Sequence, residues 1–408
     1  RPLGRDPGGG GRTMTADSSD RPARPTGPRR LGVPRVEDFS LRLRDPRLTS
    51  RVGLWLGITL SITFLTGLWS HFQQDTPSWL TIPTSPYWLY RVTQGLHVIS
   101  GTAAVPLLLV KLWSVFPRLF RRPPWRPGRA QVLHLLERGS IAVLMAAVIF
   151  QLATGLSNAA QWYPWEFDFR SLHYAIAWVF IGSLLVHVAV KLPVIRQALG
   201  EPLDRDEPAP PPGGLTRRGL LRVTWAAAGV AVLGTAGSTV TWLRSVSIFG
   251  VTDGDGPQGI PVNRTAEEAH IERVDDTWRL EVTYADASRQ FSLDELRAMP
   301  QASHDLPIAC VEGWSASGTW TGVPVADLVA AMGAPEKSRV FAVSMQRGGA
   351  WRTSELPEQF VADRRTLLAL DLAGEPLDLD HGYPCRIIAP NRPGVLQTKW
   401  IRRLEVYA

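Results

Sequence analysis

The chain has 408 residues, 45% hydrophobic and 20% charged, with a formal net charge of +7; that length exceeds one ordinary core and leads us to expect two or three domains. Its Arg residues stand in blocks beside apolar runs and not on one soluble face, which argues against nucleic acid as a partner and for membrane lipid. Its two cysteines, Cys310 and Cys385, lie far apart, which excludes a disulfide framework and a zinc-type cysteine cluster.

Residues 1–50 are rich in Arg, Pro, Gly, Asp and Ser, too poor in apolar surface for a core, and are expected to form a disordered basic tail in which Met14 offers an alternative initiator. Five apolar segments follow, at about 52–71, 92–116, 139–157, 171–191 and 223–243, each near the ~20 residues that cross a hydrocarbon layer. The first four are expected to bundle within residues 51–195. The fifth is a separate anchor after a linker at 196–222, whose Pro- and acid-rich stretch EPLDRDEPAPPPGG marks a boundary.

Lys and Arg number twelve up to Arg51, one in 72–91, seven in 111–138, one in 157–170 and six in 191–222. Cytoplasmic loops retain positive charge, so this alternation places the N-terminus in the cytoplasm and everything after the fifth helix outside. Trp79, Trp88, Trp162 and Trp165 fall in the two outer loops, where they read as interface anchors. Residues 246–408 alternate strand-like patches (279–285, 339–345, 386–390) with helical ones (292–299, 324–332), which predicts a soluble, β-rich α+β domain. The fold class is thus multidomain: an all-α transmembrane four-helix bundle, a fifth anchoring helix and a soluble α+β domain.

His97 lies on the second apolar segment, and His173 and His187 on the fourth. Ionisable groups at such depth are costly and are functional candidates by default. Residues 173 and 187 are separated by roughly four helical turns, about 21 Å of rise, and so share a face. His97 and His173 share a depth near the outer surface, and two neutral imidazoles on either side of an iron porphyrin suffice for a b-type haem. The plainer alternative is a buried histidine bonded to a backbone carbonyl. His187 offers a ligand to a second haem, but the position 14 after His97 is Lys111, read as snorkelling to the interface, and the other nearby imidazole is His134. His71, at the outer end of the first segment, reads as interfacial, with a quinone-site role as the alternative.

These histidines on four helices resemble the cytochrome b membrane subunits of bacterial formate dehydrogenases and hydrogenases. The resemblance covers about residues 50–195 and implies haem b and exchange with the quinone pool. The chain departs from it in having no histidine near the inner face of the first helix.

Before the fifth segment stands TRRGLLRV (216–223), followed by the weakly apolar AAAGVAVLGTAGS (226–238). Arg217, Arg218 and Arg222 suit a positive-inside anchor, and the pattern also resembles the twin-arginine export signal, which carries folded proteins.

Cys310 sits in PIACVEGWSASGTWTGVPVADLV (307–329). A lone cysteine is most often a small buried hydrophobe, but CVEGWS followed by W-x-G-x-P-x-x-x-L resembles the molybdenum-ligand segment of the sulfite oxidase superfamily, in the form found in periplasmic methionine sulfoxide reductases. A second stretch, HGYPCRIIAPNRPGVLQTKWIRRLEV (381–406), resembles the C-terminal signature of sulfite oxidases. The resemblance implies a molybdopterin domain with Cys310 on the metal and His381, Arg386 and Lys399 against the pterin and its phosphate. Asn263, in PVNRTA (261–266), implies a further cofactor contact. Arg suits an anionic phosphate because it donates in a fixed fork. Leu396 and Gln397 stand where the family commonly has a basic residue. Cys385 has no family role and reads as packing, while Trp314, Trp320, Arg347, Trp351 and Arg352 are candidates to line a substrate pocket.

Together these readings imply a multi-pass protein of a bacterial cell membrane. Its extracytoplasmic molybdenum centre would exchange electrons with the quinone pool through haem and reduce an S-oxide or similar oxide, small or protein-bound. The alternatives are a sulfite dehydrogenase running the other way and a non-catalytic haem conduit.

Overall fold

Helix α1 (Pro46–Gln74) begins where the Asp45 carboxylate accepts a hydrogen bond from the Arg47 amide at 2.7 Å, with Pro46 in the first turn. Pro lacks an N–H that would be unpaired there in any case. The computed structural model describes residues 42–120, 128–248, 256–272, 274–349 and 351–408. The expected tail is therefore corrected at its end: residues 46–50 are helical, while Met14 lies outside the described residues. The other long helices are α2 (Leu89–Val115), α3 (Arg129–Ala159), α4 (Phe169–Gly200) and α5 (Arg217–Thr235).

All five regions are long and apolar enough to cross a membrane. Large apolar side chains such as Leu65, Leu109, Leu185 and Val230 are exposed on their outward faces, as a lipid solvent permits. Leu56, Leu60, Ala104, Leu107, Val148 and Phe180 fill the space between α1, α2, α3 and α4.

Helix α5 departs from the expected 223–243. It opens at Arg217, where Thr216 accepts from the Gly219 amide at 3.0 Å. It stops at Thr235, followed by short 3-10 turns at Ala236–Ser238 and Thr241–Val246. The Ser247 hydroxyl takes the Gly237 amide at 2.7 Å, a donor that a continuing helix would have directed to its own ladder. At the opposite end Arg217 is 5% exposed and pairs with Asp45 at 3.0 Å. It also donates to the carbonyls of Leu203 and Arg205, and Arg47 reaches Glu201 at 2.7 Å. The starts of α1 and α5 are thereby tied to the segment that follows α4.

The C-terminal half has strands β1 (Leu280–Tyr284), β2 (Ala287–Phe291), β3 (Ala302–Ala309), β4 (Ser315–Pro324), β5 (Arg339–Ser344), β6 (Thr353–Leu356), β7 (Leu367–Leu372), β8 (Glu375–Pro376), β9 (Arg386–Ile388) and β10 (Ile401–Tyr407). Short helices α6 (Leu293–Ala298), α7 (Val325–Ala331) and α8 (Glu358–Ala362) lie between them. One sheet runs β2-β1-β10-β5-β6, with β1 and β10 parallel, and the other runs β3-β4-β7-β8 with β9 on β7. Apolar side chains from both sheets, including Val282, Phe291, Leu370, Ile387 and Leu404, share one core with Leu328 of α7. The architecture is a helical region with five candidate membrane helices followed by a sheet-rich α+β domain.

The sheet domain meets the bundle at the end whose loops are poor in Lys and Arg. Ile82, between α1 and α2, is 4% exposed and joins the core of the sheet domain. Asn391 fastens the same loop: its side chain accepts from the Tyr90 amide at 2.8 Å and donates to the Pro83 carbonyl at 2.6 Å, and its amide donates to the Tyr87 carbonyl at 3.0 Å. Of the expected interface tryptophans, Trp79, Trp88 and Trp162 are exposed at this end, and Trp165 stacks on Phe167 at 5.1 Å.

Candidate functional site

Cys310 occupies the tip of the β3–β4 hairpin, whose strands pair up to Ala309 and Ser315. The tip is closed by the Cys310 amide on the Trp314 carbonyl at 2.9 Å and the Gly313 amide on the Cys310 carbonyl at 3.0 Å. Gly313 has φ +96°, and a Cβ there would lie 2.7 Å from Val98 of α2, so conformation and close approach both require glycine. Cys310 is 1% exposed, and burial, then the Glu312 carboxylate, push its thiol well above the ordinary value. A cation at this sulfur would reverse that penalty and hold it as thiolate. Glu312 accepts from Trp314 Nε1 at 3.0 Å and from Gln161 Nε2 at 2.7 Å, and lies 3.6 Å from the Cys310 sulfur.

A cradle of basic side chains around the buried Arg386 forms in the same domain. Arg386, 4% exposed, donates to the carbonyls of His381 at 3.1 Å and Gln397 at 3.0 Å, and its guanidinium lies 5.2 Å from the Trp320 ring centre. It has no carboxylate partner among the described residues, and its Nε is buried without a hydrogen bond. Burial brings its pKa down to about 9. Lys399 donates to the carbonyls of Arg264 at 2.7 Å and Asp380 at 2.8 Å; burial, then Arg386, bring it to about 7. Burial and Arg386 likewise hold His381 at about 4, and its Nε2 faces the Pro257 carbonyl at 2.5 Å. Gly382, at φ +109°, lets these three groups converge, since a Cβ would meet Lys399 Cβ at 3.0 Å and Arg386 Cβ at 3.2 Å. Buried cations without counter-charge are costly, and an anionic group of the pterin-phosphate kind fits that donor set. Asn263 is exposed beside Arg264.

Trp314 and Trp320, two of the candidate pocket residues, are buried, whereas Arg347 and Arg352 are exposed. Trp351 receives the guanidinium of Arg170, from the first turn of α4, at 4.3 Å. Cys385 is buried and donates to the Ile401 carbonyl at 3.7 Å, a packing position.

The second centre lies inside the bundle, where α1, α2, α3 and α4 surround a cavity of about 310 Å³. His97 and His173 line it with ring centres 6.4 Å apart and planes at 72°. Nδ1 of His97 lies 2.8 Å from the Thr63 carbonyl and so carries the proton. Nδ1 of His173 lies 3.0 Å from the Thr154 hydroxyl, whose own hydrogen is directed to the Phe150 carbonyl at 2.7 Å. Each Nε2 is left as the acceptor, with no hydrogen bond among the described residues. A metal ion bonded at about 2 Å by each outer nitrogen would separate the ring centres by roughly 6 Å. Gly67 admits His97, because a Cβ there would stand 2.7 Å from Cε1.

His187 does not line this cavity. It has Lys111, Lys191 and Glu137 as charged neighbours, and the side chain of His134 lies outside the described ones. Lys111 donates to the Thr49 carbonyl in the first turn of α1 at 2.9 Å. His71 stacks on Tyr174 at 3.6 Å and lines the outer part of the cavity. Val311 and Glu312, from the turn that bears Cys310, line it too.

Residues 268–408 match the family described as the oxidoreductase molybdopterin binding domain, and the chain carries a molybdopterin-binding oxidoreductase domain of the sulfite oxidase superfamily. A putative protein-methionine-sulfoxide reductase subunit of Azospira oryzae is 30% identical over 148 residues, 36% of this chain and 55% of that one. An uncharacterized oxidoreductase of Bacillus subtilis is 29% identical over 147 residues, 36% of this chain and 72% of that one. Rat mitochondrial sulfite oxidase is 25% identical over 175 residues, 36% of this chain and 32% of that one. The chain thus spans about half the length of the Azospira oryzae relative.

Several polar residues at these sites went unread in the sequence: Thr63, Thr154, Gln94, Asn158 and Glu312. Gln94 and Asn158 carried a weak signal, as amides in apolar helices that must find partners. Thr154 carried none, because a helical threonine ordinarily bonds its own backbone, and Thr63 carried none because it acts through its main-chain carbonyl.

Proposed function

We propose that the chain is a membrane-bound oxidoreductase that reduces an S-oxide outside the cytoplasm, drawing electrons from the quinol pool through a b-type haem held by His97 and His173. The single observation that carries the haem assignment is the imidazole pair: both inner nitrogens tied back, both outer nitrogens free, and ring centres 6.4 Å apart in a cavity. One haem is proposed, since His187 faces charged side chains and lacks a described partner.

Cys310 would bind the molybdenum, and Arg386 and Lys399 would hold the pterin phosphate, with His381 shaping the cradle. Bound there, the cofactor supplies oxygen-atom transfer. The chain's own part is to keep the Cys310 sulfur out of water, hold the cations in a fixed fork and bring the hairpin tip against the bundle. Overall, a hydroquinone loses two electrons and two protons; the S–O bond of the substrate breaks and its oxygen leaves as water. The name of the Azospira oryzae relative favours this direction. An outer location is supported by the Lys and Arg alternation, because the sheet domain sits at the end with the fewest such residues. The paired Arg217 and Arg218 suit export of a folded domain, with Arg217 read before it is buried against Asp45.

The test is metal and pterin analysis of the detergent-purified protein with its haem spectrum, beside Cys310→Ala. Molybdenum near one per chain, lost in the variant, with a reducible b-type spectrum supports the reading. Haem unaccompanied by molybdenum leaves only an electron conduit.

A further inference from the structure

The turn that bears Cys310 is fastened to the bundle from several sides. The Val311 carbonyl accepts from Gln94 Nε2 of α2 and from Asn158 Nδ2 of α3, each at 3.0 Å. Both of its lone pairs are thereby used. The Gly313 carbonyl accepts from the Thr239 hydroxyl at 2.5 Å, Gln161 holds Glu312 at 2.7 Å, and Val98 packs on Gly313.

These anchors belong to the same helix turns as the imidazoles. Gln94 precedes His97 by three residues and is 5% exposed. Asn158 follows by four residues Thr154, whose hydroxyl holds His173. Residues at such spacings are neighbours on a helix face. Gln94, Asn158, Val311 and both imidazoles line one cavity. The peptide that directly follows Cys310 is therefore a wall of the pocket that holds the histidine pair.

We propose that Gln94 and Asn158 clasp the Val311 carbonyl so that electrons pass between the histidine pocket and Cys310 through the Val311 peptide, with no separate redox carrier between them. This rests on the functional reading above. Tunnelling weakens steeply with any added gap, so two hydrogen bonds that fix the hairpin tip against the pocket wall set the rate. Both residues are positioning residues. In each turnover two electrons leave one hydroquinone, which becomes quinone, cross this contact one after the other, and with two protons convert one S-oxide to sulfide and water.

The test uses full-length protein in detergent carrying Gln94→Leu and Asn158→Leu together. Amide hydrogen exchange at residues 311–313, which needs no cofactor, is expected to speed up by about tenfold or more. Molybdenum content is expected to stay at the wild-type value, and the rate that follows is read per reduced haem. Reoxidation of dithionite-reduced haem by methionine sulfoxide in a single turnover is expected to slow by at least about tenfold. The pair Gln94→Met and Asn158→Ala, which removes both amide donors without adding a titratable group, gives the same readouts if the leucines disturb insertion. Reoxidation at the wild-type rate despite faster exchange overturns the electron route, and unchanged exchange overturns the clasp. Wild-type haem that methionine sulfoxide never reoxidises overturns the functional reading and the route with it, while the exchange result still reports on the clasp.

Discussion

The cation cradle of the sheet domain and the histidine pocket of the bundle solve opposite electrostatic problems. Arg386, Lys399 and His381 are crowded together, each brought below its ordinary pKa by burial and two of them further by Arg386. That arrangement is unfavourable until an anion arrives. His97 and His173 are set up as neutral acceptors, with their protons directed to a backbone carbonyl and a threonine hydroxyl. A charged ligand is recognised by stored charge, whereas a metal between two imidazoles is recognised by fixed lone pairs.

If the two centres are distinct, their losses separate. Cys310→Ala is expected to remove molybdenum and abolish turnover while leaving the haem spectrum intact. His173→Ala is expected to remove haem and keep molybdenum, both read by metal analysis and absorbance. Loss of both metals in either variant would merge the centres and break the comparison.

Next in size, Arg386→Leu takes the one wholly buried fork out of the cradle. Affinity of the cofactor-free protein for molybdopterin is expected to fall by about a hundredfold, measured by reconstitution, with haem content unchanged.

The pH dependence sharpens the contrast. Lys399, near 7 without an anion, must hold its proton to meet a phosphate. Pterin affinity is therefore expected to be flat below pH 7 and to fall above it by up to about tenfold per unit. Stability of the cofactor-free protein runs the other way. Its folded value lies below the ordinary 10.5, so the unfolded chain binds more protons between the two, and stability rises with pH through that window. His381 acts alike between about 4 and 6.5, so stability is lost as pH falls through that range. Calorimetry of the cofactor-free protein reads both.

The smallest effect is expected at the supports of the histidine pocket. Thr154→Val removes the hydroxyl beside Nδ1 of His173 and should weaken haem binding by about tenfold. An unchanged haem affinity would show that the imidazole is oriented by packing alone.

Much of this was legible residue by residue. The apolar runs marked all four bundle helices, because crossing lipid imposes a length that sequence displays directly. The fifth helix was misplaced at both ends: Thr216 capped it early, and a hydroxyl from Ser247, beyond the expected end, took the Gly237 amide. His97 and His173 stood out because imidazoles in apolar helices are rare. Gln94 and Asn158 carry the same anomaly, yet their common partner is a peptide carbonyl far along the chain, and a carbonyl has no sequence signature.

The sequence alone determined which half is helical and apolar, which half is sheet-rich, and which cysteine, arginine and lysine are candidates for the molybdopterin. Hydrophobic length and local motif are properties of short windows, and that is why they could be read. Only the tertiary structure decided that the turn bearing Cys310 forms a wall of the histidine pocket. It also decided which oxygens orient each imidazole and that Arg386 is buried without a counter-charge. Each of these is set by groups apart in the chain that meet only on folding: the wall needs the sheet domain seated on the bundle, the imidazole supports need the bundle helices packed, and the burial of Arg386 needs the sheet domain closed around it.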